Sequence, residues 1–231
     1  MTFAPNRVLD PCRELRHDSP VISIANIVAD APGDGMVVDP MDWFDSPGPL
    51  EVEIGCGKGG FLLSRARANP HVRFLGIEWA AKFHRYAADR FARWQVANVR
   101  ILRTDAKVFF ERNLRAECVT VLHLYHPDPW PKKRHHKRRL VQAVFVEAAV
   151  RVLVAGGRWL VQSDHEEYFD QIRRLLDARP DLEEIEWSDA NAGAGADWIG
   201  TNFEIKYTRE ERLIRRAAYR KRSVETGPNQ R

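Results

Sequence analysis

Leu50-Glu-Val-Glu-Ile-Gly-Cys-Gly-Lys-Gly-Gly-Phe61 is the stretch whose reading decides the fold. Leu50–Ile54 is a short apolar-rich run of strand length. It enters a turn with four glycines, Gly55, Gly57, Gly59 and Gly60, and a helix is predicted from about Phe61. Glycines let the backbone turn tightly and approach a ligand, and the helix that follows presents free N–H groups at its start. Further apolar runs at Val72–Ile77, Val99–Leu102, Val119–Leu124 and Trp159–Val161 read as strands buried on both faces. Between them lie helix-length stretches. The clearest is Lys137 to Leu153, where Leu140, Val144, Ala148 and Val152 recur every four residues before Gly156-Gly157 stops the pattern. Alternating strands and helices imply parallel pairing through right-handed crossovers, with ligands at the carboxyl ends of the strands. The predicted fold is α/β, a single doubly wound, mostly parallel sheet of seven strands with the last antiparallel. The final pair is read as Leu182–Trp187 and Phe203–Tyr207. Thr208-x-x-Glu211 then opens a C-terminal helix with Leu213, Ile214, Ala217 and Ala218 inward.

Ahead of this region the chain is irregular, with scattered prolines and glycines and one strand near Val21–Ile27. The reading divides the chain into an arm over 1–48, a domain over 49–222 and a flexible tail over 223–231. With 231 residues, 44% of them hydrophobic, the chain can bury a core without metal or disulfide support. The three cysteines, Cys12, Cys56 and Cys118, are far apart and form no Cys-x-x-Cys pair, which argues against a disulfide framework or zinc knuckle. No apolar run has the length of a membrane span and no signal peptide is legible, so the expectation is a cytoplasmic protein with no membrane contact. Net charge is only +4, but six Lys or Arg and two His fill the eight positions 132–139, and a second basic group (Arg212, Arg215, Arg216, Arg220, Lys221, Arg222) follows later. Clustering of this kind points to a polyanionic partner.

The glycine loop by itself leaves the ligand open. Gly55, Gly57 and Gly60 fit the dinucleotide pattern G-x-G-x-x-G, while Gly55, Gly57 and Gly59 fit the G-x-G-x-G of methyltransferases. Charge separates the two. A pyrophosphate is disfavoured beside Glu53, whereas the ammonium and sulfonium of S-adenosylmethionine are favoured there. Glu78 ends the next strand, where a carboxylate can accept both ribose hydroxyls, and Asp105 follows the third strand and can accept from an adenine amino group. Each acid also has a plainer reading: Glu53 as a solvated strand-end charge, and Asp105 as the cap of a helix over Ala106–Leu114.

After the fourth strand comes His126-Pro-Asp128-Pro-Trp130-Pro, whose prolines stiffen an extended turn around Asp128. Asp128-Pro-Trp-Pro-Lys-Lys-Arg-His135, Thr201-Asn-Phe-Glu204 and Glu53-Ile-Gly-x-Gly-x-Gly59 together resemble the bacterial tRNA (guanine-N7-)-methyltransferases, over about Leu50 to Tyr207. The resemblance implies a Rossmann-like class I methyltransferase fold, S-adenosylmethionine as cofactor and guanosine 46 of the tRNA variable loop as target. It implies cofactor contacts at Glu53, Gly55, Gly57, Gly59, Glu78, Asp105 and Asp128, the last also catalytic. Substrate contacts are implied at Lys132, Asp164, Thr201, Asn202, Phe203 and Glu204, and RNA contacts at Arg134, His135, His136, Lys137, Arg138 and Arg139. Two departures stand out: His126 replaces the family's usual aromatic or similar residue, and the arm before Pro49 matches nothing in the pattern.

Guanine N7 has a lone pair and no proton, so no general base is required. Alignment and carboxylates near the developing positive charge should carry catalysis. Asp164 and Glu204 are candidates to accept from guanine N1–H and the 2-amino group, which adenine lacks. Competing readings are a capping box from Asp164 and Glu167 for a helix over Glu166–Arg179, and a surface charge at Glu204. The basic run could equally be the solvated face of its helix, although cations at a helix start are disfavoured unless an external anion is present. Trp130 could stack on the target base or fill the core. His135 and His136 lack ligand-spaced partners, so no metal is expected, nor an obligatory protein partner; the expected state is monomer or homodimer.

Overall fold

The computed structural model describes residues 21–187 and 213–223. A short helical turn, α1 (Ile24–Ile27), leads into the edge strand β1 (Val28–Ala29), and a 3-10 turn spans Pro40–Trp43. The order then runs β2 (Leu50–Ile54), α2 (Gly60–Ala68), β3 (Arg73–Ile77), α3 (Ala81–Arg93), β4 (Val99–Leu102) and α4 (Ala106–Val108). After a π-turn at Phe109–Asn113 come β5 (Val119–Tyr125), a 3-10 helix at Lys133–Arg138, α5 (Ala143–Val152) and β6 (Leu153–Ser163). The last elements are α6 (Glu166–Asp177), β7 (Leu182–Ile185) and β8 (Arg215–Lys221).

The strands form one sheet in the order β1-β4-β3-β2-β5-β6-β8-β7. Pairs from β1 through β6 are parallel, and β8 runs antiparallel to both β6 and β7. The five apolar runs read as strands are all strands. Their residues are almost all buried because helices cover both faces, which divides the core into two apolar clusters.

Several local readings change. The described residues form eight strands, of which β1 and β8 are not among the seven expected; the turn α1 occupies most of the stretch near Val21–Ile27 expected to be a strand. Residues 215–221 are a strand, not a helix. Ala217 and Tyr219 pack into one cluster and Ala218 into the other, the period-two alternation of a strand covered on both sides. The expected strand Phe203–Tyr207 and capping box Thr208–Glu211 lie outside the described residues.

The helix expected from Lys137 begins only at Ala143. Side chains hold the backbone before it out of helical form: Gln142 Nε2 donates to His136 O at 3.0 Å, the Tyr168 hydroxyl accepts from Val141 N at 3.1 Å, and Gln171 Nε2 donates to Val141 O at 3.1 Å. The basic residues therefore do not sit on the first turn of α5, and a dipole argument does not apply to them. Gly156-Gly157 does not end α5, which passes straight into β6; the pair lies where the β5–β6 register shifts. A Cβ on Gly157 would meet Val154 O at 2.8 Å.

Two features hold the scaffold rigid below the site. Glu51, buried in β2, accepts from Arg65 Nε at 3.0 Å and bonds His123 Nε2 at 3.0 Å, and His123 Nδ1 bonds the Tyr125 hydroxyl at 2.8 Å. Burial would raise the Glu51 carboxyl, but the His123 and Arg65 interactions outweigh it and hold it at about 2. At the amino ends of the strands, Arg73 Nε donates to Ser46 O at 2.8 Å and Arg100 Nε to Trp43 O at 2.7 Å, which fastens the segment before β2 beneath the sheet.

Candidate active site

The carboxyl ends of β2, β3, β4 and β5 meet at a cleft of about 420 Å³. Gly55, Gly57 and Glu78 line one side, Trp79, Phe83 and Ala106 another, and His126, Asp128 and Trp130 the far wall. In open doubly wound sheets this end of the strands is where ligands sit.

The glycine loop has three left-handed residues, Gly55 (φ 74°), Gly57 (φ 55°) and Gly59 (φ 69°). Gly55 and Gly57 line the cleft; Gly59 does not. It starts α2, and a Cβ there would meet the Phe91 ring at 2.5 Å and Ala87 Cβ at 3.1 Å. Its need for glycine comes from helix packing rather than from ligand approach. Gly59→Ala is expected to lower stability by about 2 kcal/mol, from positive φ and overpacking combined. A shifted urea midpoint checks this; an unchanged midpoint would show that α3 yields freely.

The acids at the strand ends have distinct surroundings. Glu78 bridges two elements: Oε2 accepts from Gly57 N at 2.9 Å and Oε1 from Ala80 N at 2.7 Å. Each oxygen keeps a second lone pair for a ligand. Glu53 is not a solvated strand-end charge. It is 4% exposed, and its Oε2 has no hydrogen-bond partner among the described residues. Burial, and secondly the negative charge of Glu78, push its carboxyl up to about 8. Asp105 is exposed and does cap α4, accepting from Lys107 N at 2.8 Å. Thr104 and Ala106 on either side of it line the cleft, so capping and ligand contact are compatible there.

Asp128 is exposed on the far wall, between two non-glycine residues in left-handed conformation, His126 (φ 50°) and Trp130 (φ 44°). Such backbone persists only where surroundings over-determine it, commonly at functional sites. Arg139 supplies much of that support. Its Nε donates to Pro129 O at 2.8 Å, its Nη1 to Gln171 at 2.5 Å and to Glu167 at 3.3 Å, and its guanidinium lies over the Tyr168 ring. The expected RNA contact at Arg139 is therefore corrected: its side chain is 1% exposed and already bonded, so it holds the turn instead. Trp130 is half-buried, belongs to neither core cluster, and carries the Arg138 guanidinium 5.0 Å from its ring centre.

Lys132, Arg134, Lys137 and Arg138 are exposed, while His135 and His136 are half-buried. Asp164 stands at the end of β6, 3.5 Å from His126 Nδ1. The capping box that competed for it does not form, because His165 caps α6 and accepts from Tyr168 N. Thr201, Asn202, Phe203 and Glu204 lie outside the described residues. Sequence reading passed over Trp79 and Phe83 as cleft residues; the signal was available, since aromatics one and five positions beyond a strand-end acid must stand near the same ligand. Among the described residues no cluster of three His, Cys, Asp or Glu side chains could hold a metal, and no helix is long and apolar enough to cross a membrane.

Residues 47–217 match the model of a family described as "Putative methyltransferase". The chain belongs to this methyltransferase family. Among curated relatives, a tRNA (guanine-N(7)-)-methyltransferase of Nocardia farcinica is 39% identical over 145 residues, covering 62% of this chain and 54% of that protein. One of the same description from Leifsonia xyli subsp. xyli is 41% identical over 155 residues, covering 66% and 65%. This chain thus spans little more than half to about two thirds of the length of these relatives. The crystal structure of the antibiotic-resistance methyltransferase Kmr superposes with a TM-score of 0.52 at 17% identity, covering 77% of this chain and 88% of that one, a likeness of fold.

Proposed function

We propose that this chain transfers a methyl group from S-adenosylmethionine to N7 of a guanine in tRNA, guanosine 46 of the variable loop by resemblance to the family. The observation that carries this reading is the arrangement of the cleft: a glycine loop backed by a buried acid on one side, and Asp128 on a strained turn bordered by cations on the other.

The residues fit a cationic nucleoside. Glu53 is buried, its Oε2 has no hydrogen-bond partner among the described residues, and burial together with Glu78 holds its carboxyl up at about 8, conditions that a bound cation relieves. Glu78 retains acceptor capacity for ribose hydroxyls, and Trp79, Phe83 and Ala106 offer apolar surface to a purine ring. When bound, S-adenosylmethionine supplies an electrophilic methyl on a sulfonium. Asp128 orients the groups that react and stabilises the positive charge that develops on the purine. No residue has to remove a proton, because N7 carries a free lone pair. Asp164 accepts from the guanine N–H donors, and Lys132, Arg134, Lys137 and Arg138 take up tRNA phosphates. No metal and no obligatory protein partner enters this scheme.

Incubation of the chain with labelled cofactor and unmodified tRNA, followed by nucleoside analysis, tests the reading: 7-methylguanosine is the expected product, and a different or absent modified nucleoside removes the proposal. Phosphate contacts also predict a strong salt dependence. Between about 50 and 200 mM salt the tRNA dissociation constant is expected to rise roughly 10²-fold, as for about four neutralised phosphates. Affinity indifferent to salt would exclude the basic 3-10 helix as the RNA contact.

A further inference from the structure

The cleft has a second lip. Trp79, Phe83 and Tyr86 are 68%, 40% and 41% exposed. Phe83, Tyr86 and Arg90 recur at intervals of three and four, which places them along one stripe running down α3, and Trp79 stands two residues ahead of the helix at the same lip of the cleft. This stripe is separate from the face that α3 buries, made of His84, Ala87, Ala88, Phe91 and Ala92. It therefore contributes nothing to the core. Trp79 and Phe83 border the cleft, whereas Tyr86 stands beyond it.

The stripe is electropositive. Lys58 Nζ lies 5.6 Å and the Arg90 guanidinium 5.2 Å from the centre of the Tyr86 ring. Lys82 and Arg85 are exposed alongside, and α3 has no acidic residue in its first turn. The sole carboxylate on α3, Asp89, is bonded to Arg93 at 2.5 Å. Cations in the first turns of a helix oppose its dipole, so this charge is unfavourable to the isolated protein and becomes favourable against an external anion. Across the cleft the other lip repeats the combination of an aromatic ring under a guanidinium, Trp130 under Arg138.

Resting on the tRNA reading above, we infer that the part of this surface beyond the cofactor wall, Lys82, Arg85, Tyr86 and Arg90 on α3 with Lys58 beside them, is a second RNA-binding surface, which takes the unpaired nucleotides next to the methylated guanosine. Rings exposed beside flexible cations bind single-stranded nucleic acid by base stacking and phosphate pairing, without requiring a particular sequence. The RNA then contacts both lips of the cleft, with the target base between them.

The test compares the full chain with the charge-reversed pair Lys82→Glu, Arg85→Glu and, separately, with Tyr86→Ala. Affinity for unmodified tRNA is read by fluorescence anisotropy, affinity for S-adenosylhomocysteine by calorimetry, and mass in solution by light scattering. The charge-reversed pair is expected to weaken tRNA binding by at least tenfold and to lower the salt slope by about two. Tyr86→Ala is expected to weaken it about fivefold to tenfold by loss of stacking. S-adenosylhomocysteine affinity should stay within twofold in both, and the neutral pair Lys82→Gln, Arg85→Gln should fall between, which separates charge loss from misfolding. Unchanged tRNA affinity overturns the inference. So does an equal loss of cofactor affinity, which would make the stripe part of the cofactor wall, or a change in oligomeric mass alone, which would make it a protein contact. Because the readout is binding, wild-type protein that held tRNA through this stripe yet made no 7-methylguanosine would overturn the proposed reaction and uphold the surface.

Discussion

Asp128→Ala is expected to lower the methylation rate by about a thousandfold at saturating cofactor and tRNA, with the fold intact. The estimate follows from charge: a carboxylate about 4 Å from a developing positive charge, at an effective dielectric constant near 20, is worth about 4 kcal/mol. The side chain is exposed to the cleft and the turn is held by Arg139 and the flanking prolines, so removing it leaves the scaffold in place. Asp128→Asn separates two contributions. The amide keeps the shape and one acceptor but loses the charge, so a fall as deep as that of alanine assigns the effect to electrostatics, and a shallow one assigns it to alignment. Single-turnover kinetics at saturating ligand make the measurement. A rate near wild type for Asp128→Ala would take this residue out of the chemistry altogether.

The second large effect is a proton linkage at Glu53. In the ligand-free protein its carboxyl titrates at about 8 because it is buried near Glu78, so it is neutral at pH 7. A bound cation favours the ionised form, and binding below pH 8 must then release a proton. Cofactor affinity is expected to climb by up to tenfold per pH unit from about pH 6 to 8 and to level off above, since one proton is linked to binding. Calorimetry in buffers of different ionisation heat reads the released proton directly. Glu53→Gln should abolish both the release and the slope. Comparison of S-adenosylmethionine with S-adenosylhomocysteine, which keeps the ammonium but not the sulfonium, tells which charge the carboxyl answers. A flat profile in the wild-type protein would sink the idea. The same group acts on stability with a definite sign. Its folded value of about 8 lies above the ordinary carboxyl value of 4.5, so its stabilising share is complete below about 4.5 and is lost as pH rises through about 8.

The parallel sheet was legible because its central strands are buried on both faces and so appear as unbroken apolar runs. β8 was not, since Arg215, Arg216, Arg220 and Lys221 surround only three buried residues, and the partner that makes them a strand, β6, is some sixty positions away in sequence. The start of α5 was misread for a related reason: Tyr168 and Gln171, on another helix, take the backbone groups of Val141. In the site, the positions of Glu53, Glu78, Asp105 and Asp128 at strand ends could be read directly. Their individual environments could not. Arg139 looks like any member of its basic run until the Pro129 carbonyl and Gln171 are seen around it, and Gly59 looks like a ligand-loop glycine until Phe91 is seen against it.

The place of β8 between β6 and β7 also governs how the molecule can be made. On a ribosome, β6 and β7 are completed first, yet they are not neighbours, and the strand that joins them arrives only with residues 215–221. Until then, among the described residues, β6 lacks its outer neighbour and β7 lacks the strand it pairs with, the condition that invites association between chains. A chain cut before Arg215 accordingly parts β7 from its neighbour in the sheet as well as losing β8 itself.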